Sequence, residues 1–219
     1  MKYFQTLPTI INLDSNNNIY TLKNLLARTT LIPELSKNPM FFYKYTIQDG
    51  DTPESIAYKY YKDQYRYWLV LIGNDIFDPQ FDWPLNSQQF EHYITEKYRT
   101  DTANSLSIAA NTVTTSQVFA YVNGETHHYE KIIISTDNST SIKSQKTVQI
   151  DETTYNDLDV GSETYTFTGG ETVTQETQKS VVSLYDYEFN ANEEKRQINI
   201  IQDRYAKDVE KALAKLMSK

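Results

Sequence analysis

Three carboxylates, Asp75, Asp78 and Asp82, crowd around Pro79 in the run "NDIFDPQFDW". Carboxylates held in pairs at a suitable separation hydrolyse glycosides, one as acid and the other as nucleophile or base. In a stretch rich in Asp, Asn and Pro the same residues serve turns and helix caps. No partner acid or base stands beside them, so turn and cap duty is the stronger expectation. The histidines add little. His92 falls on an expected helix, while His127 and His128 adjoin on an expected strand, where neighbours point to opposite faces and chelate poorly. No Gly-rich phosphate loop, His-Glu-x-x-His pair or Gly-x-Ser-x-Gly elbow occurs. Asp14, Asn16 and Asn18 imitate the start of a calcium loop, but Ile19 holds the glycine position and Leu25 the position of the final Glu. The chain has no cysteine, which excludes disulfides, thiolate zinc sites and thiol nucleophiles. No catalysis, metal or cofactor is expected.

Composition narrows the partners. A net charge of -8 over 219 residues argues against nucleic acid and anionic membranes, which attract clustered Lys and Arg. The longest apolar runs fall far short of a bilayer span. "MKYFQTLPTIINLDSNNN" lacks the apolar core and cleavage site of a secretory signal, so the protein is expected to stay on the side of the membrane where it is made. There are 18 Tyr against 2 Trp and 9 Phe. Tyr favours strands and also surfaces that meet other surfaces. Its clustering at 43–67 favours the second use.

Four regions follow from the patterning. Residues 1–43 read as an arm: "LPTIINL" is apolar, and "TLKNLLARTTLIPEL" predicts a short helix with Leu22, Leu25, Leu26 and Thr29 on one face and Pro33 as its stop. Residues 44–98 hold the best-defined pattern. "YKYTI" is a strand and Asp49-Gly50 its turn. Thr52 is the N-cap of a helix with Pro53 at its first position, and Ile56, Ala57 and Tyr60 face inward. "QYRYWLVLIGND" is a second helix with Gly73 at C′. An extended piece around 83–85 and a third helix, capped by Asn86 and Gln89, complete the region. Residues 99–184, rich in Ser and Thr, predict an antiparallel β insert with hairpin turns at Asn123-Gly124 and Gly169-Gly170. Residues 185–219 predict one amphipathic helix with Asn190 and Glu193 as capping box. Ile198, Ile201, Tyr205, Val209, Ala212 and Leu216 form its seam.

The strand-GDT-helix pattern of "YTIQDGDTPESIAYKYY" and the following "WLVLIGND" resembles a LysM module. That resemblance implies a βααβ fold that grips N-acetylglucosamine polymers. Larger blocks are similar to the LysM-like baseplate wedge proteins of T4-like contractile-tailed bacteriophages. They are "LPTI" with "LKNLLAR", the run "YRYWLVLIGNDIFDPQFDWPLNSQQFEHYITEKY", "VFAYVNGETHHYEK", and "YDYEFNANEEKRQINII". Residues 135–180 depart from the family pattern. The implied fold is α+β: a LysM-like βααβ module with an N-terminal extended arm, an inserted antiparallel β region and a long C-terminal helix.

The resemblance implies a structural virion protein, made in the host cytoplasm and built into the tail baseplate. It would join wedge to wedge around the hub, touching other wedge proteins, neighbouring wedges and the sheath-initiating protein. Neither nucleic acid nor membrane is an expected partner. The residues expected to face partners are Arg28, Tyr65, Tyr67, Trp68, Asn74, Asp75, Asp78, Trp83, Arg196, Ile198, Ile201 and Tyr205. On this reading residues 190–219 can be removed without loss of the central module. The alternative is a peptidoglycan- or chitin-binding LysM module with an accessory β domain, its groove flanked by Tyr45, Thr52, Trp68 and Asn74. The lack of an export signal and the single copy of the module argue against it.

Overall fold

The structure, a computed structural model, describes residues 3–13, 15, 18–25, 27, 29–31 and 37–217. It begins with a single helical turn, α1 (Tyr3–Thr6), and a hairpin of β1 (Thr9–Leu13) and β2 (Ile19–Lys23). Helical spacing of Leu22, Leu25 and Thr29 is therefore misleading, because the chain sets Ile10 opposite Leu22 and Leu13 opposite Ile19. β-branched residues at 9–11, 19 and 21 favour extended backbone, and a pattern read within one segment cannot register a partner strand. Leu26, Pro33 and the first two residues of the calcium-like loop, Asp14 and Asn16, lie outside the described residues.

Strand β3 (Phe42–Thr46) leads into the Asp-Gly-Asp-Thr turn. Gly50 has φ 86°, a left-handed backbone that glycine enters freely. Asp51 holds the turn from inside: its carboxylate accepts from the Tyr45 hydroxyl (2.7 Å), the Gln48 amide (3.1 Å) and the Lys59 ammonium. Burial alone would raise its pKa, but those donors outweigh burial and hold it below the usual carboxylate range. Thr52 caps α2 (Pro53–Tyr61) in a reciprocal box with Ser55. Ile56, Ala57 and Tyr61 are buried. Helix α3 (Tyr67–Ile72) buries Trp68, Leu69 and Val70, and α4 (Pro79–Asp82) adds one turn capped by Asp78.

From Gln88 to Ala191 the chain forms a second compact unit, while the residues before and after it form the first. Helix α5 (Ser87–Leu106) enters the second unit and buries Phe90, Ile94, Tyr98 and Thr102 at every fourth position. Asn123-Gly124 is not a hairpin turn. It ends α6 (Thr115–Gly124), which Thr114 and Gln117 start with a capping box and which buries Val118 and Val122. That box and the i, i+4 valines commit the run to helix before the Asn-Gly signal is reached. Next come β4 (Thr126–Asp137), β5 (Lys143–Ile150), α7 (Glu152–Asp157), β6 (Gly161–Thr166) and β7 (Thr172–Ser183). They build an antiparallel sheet in the order β5-β4-β7-β6. The Gly169-Gly170 hairpin forms as its turn chemistry predicts, with Gly170 at φ 85°.

A bulge between Thr126 and His128 overturns the opposed placement of the two histidines. Their Nδ1 atoms lie 2.7 Å apart, and the His127 ring stacks on Tyr187 at 3.7 Å. Tyr187 belongs to α8 (Leu184–Glu194), so Asn190 sits inside a helix and not at its start.

Glu188 on α8 is 7 % exposed and accepts from Tyr98 (2.8 Å), Tyr93 (3.0 Å) and Lys97. Burial by itself would raise its pKa, but these hydrogen bonds outweigh burial and depress it.

The first unit closes late in the chain. Strand β8 (Gln197–Ile201) pairs antiparallel with β3, setting Tyr45 opposite Ile198 and Phe42 opposite Ile201. The expected single helix is thus interrupted, and helix α9 (Asp203–Met217) starts afresh. Its buried positions are Ala206, Leu213 and Met217, with Val209 partly buried against the same core, whereas Leu216 is 58 % exposed. Counting from Ile198 as though the helix were continuous gives the wrong phase. Because β8 and α9 supply Ile198, Ile200, Ile201, Ala206, Leu213 and Met217 to one core cluster with Trp68 and Leu69, removing residues 190–219 would dismantle the module.

The run "GND" is built around β8. Gly73 has φ -65°, so it is not a left-handed C′ residue. A Cβ there would lie 3.0 Å from the Leu69 carbonyl oxygen and 3.3 Å from that of Asn199. Asn74 donates to the Asn199 carbonyl (2.8 Å) and accepts from its N–H (2.7 Å), the two bonds a neighbouring strand would make. Asp75 takes the left-handed turn at φ 53°.

Two outcomes are expected. Asn74→Ala removes both hydrogen bonds to Asn199, and Gly73→Ala crowds the Leu69 and Asn199 carbonyls; each lowers stability in urea by about 1–2 kcal/mol. A carboxylate depressed by folding stabilises above the unfolded carboxylate pKa and loses that contribution as pH falls through its folded value. Urea unfolding should therefore show wild type losing more stability than Glu188→Gln between about pH 5 and about pH 3.

Candidate docking surfaces

The segment "QYRYW" forms a tight turn into α3 that is fastened from below. Arg66 donates from Nε to Glu210 (3.0 Å) and from Nη1 to Asp203 (3.2 Å), tying the turn to α9. With the turn so fixed, Tyr65 stands 47 % exposed, Tyr67 is half-buried and Trp68 lies in the core at 3 %. Burial pushes the Tyr67 hydroxyl pKa up.

The remaining candidate residues divide by what holds them. Asp78 and Asp82 do turn work: Asp78 accepts from the Gln80 N–H (3.1 Å), and Asp82 accepts from the Asp78 N–H (3.2 Å). Trp83 donates from its indole to the Asp51 carbonyl (3.1 Å). Arg196 reaches Asp49 (2.8 Å), Glu193 (2.7 Å) and the Leu85 carbonyl (3.1 Å), gathering two loops and the end of α8 at one guanidinium. Ile198 and Ile201 are 4 % and 0 % exposed. Tyr205 is half-buried, stacked on Phe41 at 4.9 Å with the Arg204 guanidinium 4.7 Å over its ring. Arg28 lies outside the described residues. Tyr65, Asp75 and Asp78 therefore stand at the surface, while Asn74 and Arg196 bind other parts of the chain.

Sequence reasoning passed over two exposed aromatics of this region, Phe77 at 45 % and Phe81 at 68 %. Their signal was available: two Phe among turn-forming Asp and Pro have no helical or strand face through which to reach a core. Beside them opens a groove of about 300 Å³ lined by Tyr3, Phe4, Leu25, Trp68, Ile76 and Phe77, among others. Its described lining carries no charge. Phe4 and Leu25, 58 % and 68 % exposed, extend the apolar surface at its rim.

The geometry gives sugar binding and hydrolysis no support. The Tyr45 hydroxyl is engaged by Asp51, the Thr52 hydroxyl caps α2, Asn74 is engaged by β8, and Trp68 presents almost no open ring. Among the described residues, no group of three or more His, Asp or Glu is placed to hold a metal ion, and no helix is long and apolar enough to cross a membrane.

Polar groups of this unit are tied down internally, and several aromatic rings are left at the surface. The chain belongs to the base plate wedge protein 53 family, whose model matches residues 38–218. It is a structural component of a phage tail baseplate. Comparison with curated proteins gives no match. The matched stretch begins after the β1-β2 hairpin.

Arg196→Lys is expected to cost about 2 kcal/mol of stability in chemical unfolding, because an ammonium cannot span three acceptors held by a planar fork.

Proposed function

We propose that this protein joins baseplate wedges around the hub of a contractile tail. Its contacts would be with other wedge proteins, neighbouring wedges and the sheath-initiating protein, in the virion after assembly in the host cytoplasm. The observation that carries this reading is the groove whose described lining is uncharged, with Phe77 and Phe81 beside it, set on a unit whose polar side chains are spent on its own loops. Aromatic anchors on a rigid frame bury apolar area at small entropic cost, which is what a docking hot spot needs. The module keeps a LysM-like order of elements in which the GDT turn, the Gly-Asn-Asp corner and Arg196 maintain the frame. Tyr65, Tyr67, Asp75, Asp78 and Tyr205 add contact area around it, and Trp68, Asn74, Trp83, Ile198 and Ile201 hold those groups in place. Several separate surfaces on one chain let it engage several neighbours at once and raise the effective concentration of each contact.

Deleting the C-terminal residues cannot test this, since they belong to the core. Surface changes can. Phe77→Ser with Phe81→Ser should leave the melting temperature of the free chain near the wild-type value. Electron microscopy of phage carrying the pair should show incomplete baseplates. Complete baseplates would remove the proposal.

A further inference from the structure

Among the described residues, the open edges of the β3-β8 sheet and of the four-stranded sheet carry devices that discourage another chain from pairing. The outer edge of β8 is closed by Asn74 on both groups of Asn199 and by the Tyr61 hydroxyl on the Ile201 carbonyl (2.7 Å). On β3, Lys44 sits on the edge and Gln48 covers the Thr46 carbonyl. The outer strands of the four-stranded sheet bear Lys143 and Lys146 on β5 and Glu163 on β6. Charges and covered backbone at an edge are how soluble proteins avoid edge-to-edge association.

Strand β1 has no charge and a single covered backbone group. Thr9-Ile10-Ile11-Asn12-Leu13 contains no charge and no internal proline. The Asn24 N–H donates to the Pro8 carbonyl (2.8 Å), which fixes the phase of the ladder. Ile10 and Asn12 bond across to β2, and Thr9, Ile11 and Leu13 turn their backbone groups outward. The Leu13 N–H is taken by its neighbour Asn12 (3.0 Å), leaving the N–H groups of Thr9 and Ile11 and three carbonyls facing out. The hairpin root is fixed, with Leu7 buried at 2 % and Lys23 donating to the Leu7 (2.8 Å) and Gln5 (3.2 Å) carbonyls. Beyond that root all five residues of each strand are exposed, Ile11 at 74 % and Ile19 at 72 %. Two strands alone are marginal in water, and three with an apolar face are the usual minimum.

The apolar faces do not by themselves name what covers them, but the edge does. We infer that β1 accepts an extended, uncharged segment of a different baseplate protein as a third strand, by β-augmentation. This rests on the docking role proposed above. A second copy is the weaker occupant, because a five-residue strand paired with itself buries too little surface to hold a dimer alone. A neighbour already held at other surfaces of the chain needs only this added grip.

The test uses the full chain in phage assembly. Ile11→Pro removes one outward N–H and no bond to β2, a position where an edge strand accepts proline. Ile11→Lys keeps the N–H and adds a guarding charge. Each variant should melt like wild type when free, yet enter purified baseplates about tenfold less. Wild-type incorporation of both variants overturns the inference. Absence of the wild-type chain from baseplates would instead overturn the docking role. Sedimentation of the free chain should show a monomer, and a dimer abolished by Ile11→Pro would make a second copy the occupant and overturn the assignment.

Discussion

The pairing of β3 with β8 is the constraint on which the first unit depends. Each strand alone is a short run that forms no stable sheet. Together they bring Ile198, Ile200 and Ile201 onto Trp68, Leu69 and the inner face of α2. The closure is between segments far apart in sequence, and Asn74 with Asn199, 125 residues apart, fastens it from the side. Loop-closure entropy rises only slowly with length, so the intervening unit is tolerated once the side-chain contacts are good. The corner "GND" is shaped by that strand: no Cβ at 73, an amide at 74 that imitates a strand, and a left-handed turn at 75.

Much of the local structure was legible because its causes are local. The GDT turn, the Thr52 cap, the inward Ile56 and Ala57 and the Gly169-Gly170 hairpin depend on residues within a few positions of one another. Elements that needed a distant partner were not legible. The helical spacing of Leu22 and Leu25 gave no hint that Ile10 would lie opposite Leu22. The alternation of Gln197–Ile201 was too short to compete with the helical signals around it until β3 was placed beside it. The Asn123-Gly124 signal was sound chemistry in the wrong context, defeated by a cap nine residues upstream. At the candidate surface, "QYRYW" was legible as unusual, but composition could not separate Tyr65, which faces out, from Trp68, which faces in.

The two Arg-centred clamps explain how a chain with so many Tyr and Phe keeps some of them outside. Arg66 fixes the turn below Tyr65 to α9, and Arg196 gathers the 49, 85 and 193 positions. Neighbouring loops are then held without drawing every ring inward.

The arrangement also sets a clock. The first unit begins at the N-terminal side, yet its core lacks β8 and α9 until the ribosome has made more than a hundred further residues. At roughly 5–20 residues per second that is a wait of about 5–20 seconds, during which the inserted unit has all its own strands and can fold first. The rigid frame behind Phe77 and Phe81 is thus completed only after β8 and α9 have been made. A nascent chain cannot present its finished contact surface to neighbours before those two elements have emerged.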